Sequence, residues 1–107
     1  MKPGGQYRKG VKWERWLVKR LALRGAEVAF RSAGSHSPID VVGEFLDYRY
    51  LAQCKAGTRP PQKEYDKLRL LSLGLRYCIV ALWWFPDREP VRVTEWENGK
   101  QIIRRTT

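Results

Sequence analysis

The chain has 107 residues, enough for one domain with a single modest core. Its 21 Lys and Arg against 11 Asp and Glu give a formal charge of +10, and the pI is near 10.1. That balance points to a polyanionic partner, with nucleic acid ahead of an acidic membrane. No stretch approaches the roughly 20 uninterrupted apolar residues of a membrane helix, and the N-terminus has no signal-peptide apolar run, so a soluble, intracellular, cytoplasmic protein is expected. Cys54 and Cys78 fall in expected strands without metal-ligand spacing, and read as buried free thiols.

Residues 1–9, MKPGGQYRK, are basic and carry Pro and Gly, which predicts a flexible arm ahead of a single domain over 10–107. A helix is expected from about Gly10 to Arg24. Trp13, Leu17 and Leu21 recur every fourth residue, Val11, Val18 and Ala22 widen the stripe, and Gly25 supplies the stop. Eight basic residues and one acid, Glu14, occupy the first 24 positions. Arg15 and Lys19 repel each other at i, i+4, which suits a counter-charge from outside the chain such as a phosphate backbone.

Glu27 to Arg31 reads as the first strand. The loop SAGSHS at 32–37 follows, its Gly34, Ser hydroxyls and free amides well suited to phosphate contact. His36, the single histidine, reads first as a loop residue or phosphate contact rather than a general base. The next segment, Pro38 to Lys55, reads as a hairpin turning at Asp47-Tyr48 and covered on both faces. A second helix is expected from Pro61 or Gln62 to Leu73, with Tyr65, Leu68, Leu71 and Leu75 as its stripe. Tyr77 to Trp84 is a continuous apolar run, the mark of a buried and often parallel strand. Trp83 and Trp84 point to opposite faces, so one should meet another element or a partner. A final hairpin, Val91 to Trp96 and Gln101 to Arg105, spans Asn98-Gly99. The expected class is therefore α/β, a central mixed sheet flanked by helices in the order α-β-β-β-α-β plus the C-terminal hairpin.

Three polar residues are placed oddly in the central hairpin. Gln53 and Lys55 share a face, and a turn at Asp47-Tyr48 would set Asp40 directly across from Lys55. Phosphodiester hydrolysis requires a metal ion and benefits from a cation beside the nucleophile. A hard cation such as Mg²⁺ needs only two or three protein oxygens. Asp40, the Gln53 amide oxygen and the Cys54 main-chain carbonyl can supply these, and Glu14 can add a carboxylate directly or through water. The same cluster also reads as a buried Asp40–Lys55 ion pair with Gln53 as a capped polar residue; spacing alone does not choose. Glu44 lies on the same strand as Asp40 but about 13 Å away by strand rise.

The Asp…Gln-x-Lys arrangement resembles the PD-(D/E)xK nuclease superfamily, whose usual form has Glu at the Gln53 position. The run Tyr7-Arg8-Lys9-Gly10, Glu14-Arg15, Leu17, Gly25, Arg31 to Ser35 and Asp40 is similar in order and spacing to the archaeal-type Holliday junction resolvases. The likeness covers residues 7 to 55 well, reaches about 85 in outline, and hardly extends to the C-terminal hairpin. It implies a restriction-endonuclease-like fold and a homodimer that nicks opposing strands of a four-way DNA junction with Mg²⁺, or Mn²⁺ in its place. Glu14, Asp40, Gln53 and Lys55 would carry the catalytic and metal roles. Arg8, Lys9, Arg15, Arg31, Ser32 and Ser35 would contact the DNA backbone. Another nuclease of this fold, acting on flaps, ends or mismatches, and a branched-DNA-binding module that has lost catalysis remain the alternatives.

Overall fold

A computed structural model describes residues 3–32 and 37–103, the side chains of 3–9 excepted. Helix α1 spans Pro3–Leu23. It starts earlier than the Gly10 that the apolar stripe indicated, so the backbone from Pro3 to Lys9, expected as an arm, is helical. Leu17 and Leu21, one turn apart, are buried, with Trp13 and Val18 packed beside them. The helix closes in a Schellman turn: Gly25 (φ 108°) follows the last turn, its N–H reaching the Ala22 carbonyl while Ala26 N–H reaches that of Leu21.

Six strands follow: β1 (Val28–Arg31), β2 (Val41–Glu44), β3 (Arg49–Ala56), β4 (Cys78–Phe85), β5 (Arg92–Glu97) and β6 (Lys100–Ile102), with α2 (Gln62–Ser72) between β3 and β4. They form one sheet in sequence order. Every neighbouring pair is antiparallel except β3–β4, which is parallel because α2 carries the chain back to the starting end. The protein is thus α/β, a mixed sheet with one helix on each face. On the α1 face Leu17 and Leu21 meet Val41, Tyr50, Ala52, Ile79, Ala81, Trp83 and Phe85. On the α2 face Leu68 meets Ile39, Cys78, Val80, Leu82 and Trp96. Strand β4 lies between these layers, which is why its run is apolar at every position. No helix among the described residues is long and apolar enough to cross a membrane.

Three local expectations change. The central hairpin turns at Leu46-Asp47, where Phe45 N–H donates to the Tyr48 carbonyl, so Val41 faces Ala52. In α2, Leu71 is exposed and Ser72 is buried in its place. The Ser72 hydroxyl donates to the Arg69 carbonyl (2.6 Å) and accepts the Gly99 N–H (2.8 Å), tying the helix to the last turn. That turn does sit at Asn98-Gly99, both with positive φ (49° and 79°), as a two-residue hairpin loop requires. Strand β6 ends at Ile102; the expected continuation to Arg105 runs into residues 104–107, outside the described ones.

Candidate active site

The site forms where β1 and β3 end and β2 begins. Asp40 immediately precedes β2, and its backbone is split between two neighbours: its N–H donates to the Ala52 carbonyl and its carbonyl accepts the Ser32 N–H, both at 2.8 Å. In a regular antiparallel strand both groups of a residue face the same partner. The kink directs the Asp40 carboxylate along the sheet, where Oδ2 accepts the Cys54 N–H at 2.9 Å. The Cys54 carbonyl points from the same side of β3 as its N–H, toward the Asp40 end of β2.

The two-residue change in register corrects the expected pairing. The ladder pairs Val41 with Ala52, and Asp40 N–H meets that same Ala52 carbonyl, so Asp40 does not lie across from Lys55. A shift of two preserves the alternation, so Gln53 and Lys55 still share the α2 face while Cys54 packs with the α1-side cluster. Gln53 is buried, and its Oε1 has no hydrogen-bond partner among the described residues. Leaving a buried acceptor unmade costs about 1–3 kcal/mol, so such an atom marks a site where a donor or a cation belongs.

From the other face, α1 presents Glu14. Its Oε1 accepts a hydrogen bond from Arg31 Nε in an ion pair at 3.0 Å. Glu14 is therefore held by Arg31, and Arg31, expected as a phosphate contact, is engaged with a carboxylate. Burial raises the Asp40 carboxyl above its ordinary range. The Cys54 N–H opposes this, the Glu14 charge adds to it, and Lys55 and Arg31 pull the other way. Glu14, Asp40, Lys55 and Arg31 thus share one electrostatic neighbourhood, with Gln53 alongside. Burial, followed by the charges of Asp40 and Glu14, also pushes the Cys54 thiol far up, which leaves it a neutral packing group. Glu44 belongs elsewhere, paired with Arg49 at the opposite end of the hairpin.

Arg15 is exposed on α1. Ser32 hydrogen-bonds through its backbone N–H to Asp40. The side chains of Arg8 and Lys9, and the whole of Ser35 and His36, lie outside the described residues. Trp84, the outward member of its pair, is half-buried on the α2 face and donates Nε1–H to the Gly57 carbonyl at 2.8 Å. Beyond it, a cleft of about 330 Å³ between α2 and β5 is lined by Arg59, Arg69, Tyr65 and Trp96. Nothing in the sequence singled out these two arginines, because single basic residues in a loop and on a helix are common solvated positions.

No set of three or more His, Cys, Asp or Glu side chains able to hold a metal ion occurs among the described residues. The oxygens present at the strand end are one carboxylate, Asp40, the unpartnered amide oxygen of Gln53 and the Cys54 carbonyl. This set suits a hard divalent cation that keeps most of its waters, and does not suit a soft or tightly caged metal. Comparison with protein-family models, with curated proteins and with solved structures finds no match.

Proposed function

We propose that this protein is a metal-dependent, structure-selective DNA endonuclease with a restriction-endonuclease-like core, acting as a homodimer on four-way junctions. The observation that carries the reading is the Asp40 carboxylate bonded to the Cys54 N–H, between Gln53, whose buried Oε1 has no hydrogen-bond partner among the described residues, and Lys55. The alternative, an Asp40–Lys55 ion pair with a capped Gln53, keeps the attraction between those two charges, but they do not face each other across the ladder and Gln53 Oε1 has no cap among the described residues.

In this reading Asp40, Gln53 and the Cys54 carbonyl would hold Mg²⁺ or Mn²⁺. The bound ion supplies charge neutralisation at the phosphoryl oxygen and an activated water. Lys55 orients the attacking water and offsets charge on the phosphate. Arg31 holds Glu14 against the strand end, which keeps a negative charge beside Asp40. The basic outer side of α1, with Arg15 and Lys19, positions the DNA backbone, and Arg59 and Arg69 offer a second phosphate contact on the α2 face. Two such sites related by a dimer axis match a substrate that is itself two-fold symmetric.

Incubation with a mobile four-way junction, a flap and a linear duplex tests the choice of substrate. Paired symmetric nicks in the junction, leaving the linear duplex intact, are expected. Preferential cutting of flaps or free ends would instead place the protein with nucleases of other branched or broken DNA.

A further inference from the structure

We propose, on the nuclease reading of this protein, that the cleft between α2 and β5 receives one unpaired nucleotide of the DNA strand. The protein would then select branch points at which a base has left its stack. The cleft, about 330 Å³, lies at the small end of ligand-sized pockets, which run from about 300 to 1,000 Å³. Such a space takes one nucleotide, whereas a duplex can only lie across its mouth. Helix α2 builds one wall, where Gln62, Tyr65, Asp66 and Arg69 follow the i, i+3, i+4, i+7 spacing of a single helix face. Trp96 of β5 lines the cleft opposite, and Arg59 joins from the segment before α2.

The lining is chemically mixed, and the mixture identifies the ligand. Arg59 and Arg69 are exposed, and no ion pair among the described residues engages either guanidinium. All 11 acidic side chains of the chain belong to those residues. The one carboxylate in the lining, Asp66, accepts instead from Gln62 Nε2 at 3.1 Å. A site for a bare anion calls for cations alone. A nucleotide carries a phosphate that guanidiniums bind, a ring that stacks on aromatic groups, and base-edge N–H groups that a carboxylate accepts. Tyr65 supplies the ring: it is half-buried and held edge-to-face against Trp96, with centroids 6.2 Å apart. A base inside a duplex has both faces covered by its neighbours, so only an unstacked base can meet such a ring.

The cleft also lies on the same face of the sheet as the candidate active site. Pairing aligns Gln53 with Leu82 and Leu82 with Thr94, which lines the cleft. The next row is Lys55, Trp84 and Arg92. Two strand spacings, about 10 Å, separate Lys55 from Arg92. A strand with a phosphate at Lys55 thus reaches the cleft within a short span, past Trp84 and the Arg92 guanidinium, which lies 5.8 Å from that indole.

Binding of a short fluorescent oligothymidylate and of a duplex of equal length, read by anisotropy in EDTA at fixed salt, tests this. Two double variants each remove two positive charges. One is Arg59→Ala with Arg69→Ala, in the cleft; the other is Lys63→Ala with Lys67→Ala, exposed on α2 outside the lining. The arginine pair should weaken oligothymidylate binding on the order of tenfold more than the lysine pair does, and duplex binding no more than the lysine pair does. A 5-iodouracil oligomer, irradiated on the wild-type protein and mapped by mass spectrometry, should cross-link to Tyr65. Equal losses for the two pairs, a loss as large for duplex as for single strand, or a cross-link that avoids the cleft would overturn the proposal. The cross-link needs no variant, so it decides alone if either double variant fails to fold. Junction nicking by wild type is scored in parallel. Nicking without the selective loss would overturn the proposal and leave the nuclease reading standing; selective loss without nicking would sink the nuclease reading and keep the nucleotide site.

Discussion

The Asp40 carboxylate accepts the backbone N–H of Cys54 at 2.9 Å, linking the start of β2 to the end of β3. This bond lets one side chain serve two purposes. It closes a strand end whose ladder has run out, and it holds a partly buried carboxylate against the backbone between Gln53 and Lys55. The bond also explains how Asp40 tolerates burial, since the N–H offsets part of the desolvation.

A pH dependence follows for the protein free of metal and DNA. The Asp40 carboxyl is raised above its ordinary value of 3.8, chiefly by burial. Between that value and the raised one, the folded state holds a proton that the unfolded state has lost. Stability from this group is therefore greatest at low pH and declines as pH rises through the window. Urea unfolding of wild type and Asp40→Asn in EDTA from pH 4 to 7 should show wild type losing ground to the variant as pH increases. A difference that is flat with pH would contradict the shift.

Gly43 sets the distance between α1 and the sheet. A Cβ there would lie 3.0 Å from Leu21 Cδ1 and 3.3 Å from Phe45 Cε2. Leu21 is itself buried, so it has little room to move. Gly43→Ala should cost about 1–3 kcal/mol through overpacking, measured as a fall in the urea midpoint with unchanged slope. A neutral effect would mean that α1 can shift freely, and with it Glu14.

A buried polar chain on the α1 face gives a third test. Trp83 Nε1–H donates to the Tyr50 hydroxyl at 2.9 Å, and that hydroxyl donates in turn to the Glu95 carboxylate. Glu95 and Tyr50 are both buried. Tyr50→Phe removes the acceptor of the indole and a donor to the carboxylate, so it should destabilise by about 1–3 kcal/mol. Because Trp83, Tyr50 and Glu95 are buried and none of them is assigned to the DNA, junction binding by the folded variant should be unchanged.

Much of this architecture was legible from short-range patterns. The α1 stripe, the run of β4 and the Asn98-Gly99 turn each rest on local periodicity or turn chemistry. The turn stands where the sequence placed it, β4 lies one residue later at Cys78–Phe85 with Tyr77 exposed, and α1 buries Leu17 and Leu21 but leaves Ala22 exposed. Register was not legible. Moving the turn from Asp47-Tyr48 to Leu46-Asp47 changes which residue faces Asp40, and no local signal separates two adjacent turn positions in that loop. Side-chain commitments were hidden for a different reason. The Glu14–Arg31 pair joins residues 17 apart, and the Tyr50–Glu95 bond residues 45 apart, so both exist only once the helix and strands are stacked. Ser72 was passed over because a serine in a helix reads as solvated, whereas here the Gly99 N–H makes its burial tolerable. The unpartnered state of Gln53 Oε1 likewise needs the packed strand end to be seen.

The most direct measurement is cleavage of a labelled four-way junction by wild type and by Asp40→Asn, each with Mg²⁺ and with EDTA. Asparagine keeps an oxygen for the Cys54 N–H, so the variant should fold and bind the junction while losing the charge needed at the strand end. Two symmetric nicks by wild type in Mg²⁺, none in EDTA, and none by the variant are expected. Tight junction binding by wild type without cleavage in Mg²⁺ or Mn²⁺, or cleavage that survives Asp40→Asn, would contradict the nuclease reading.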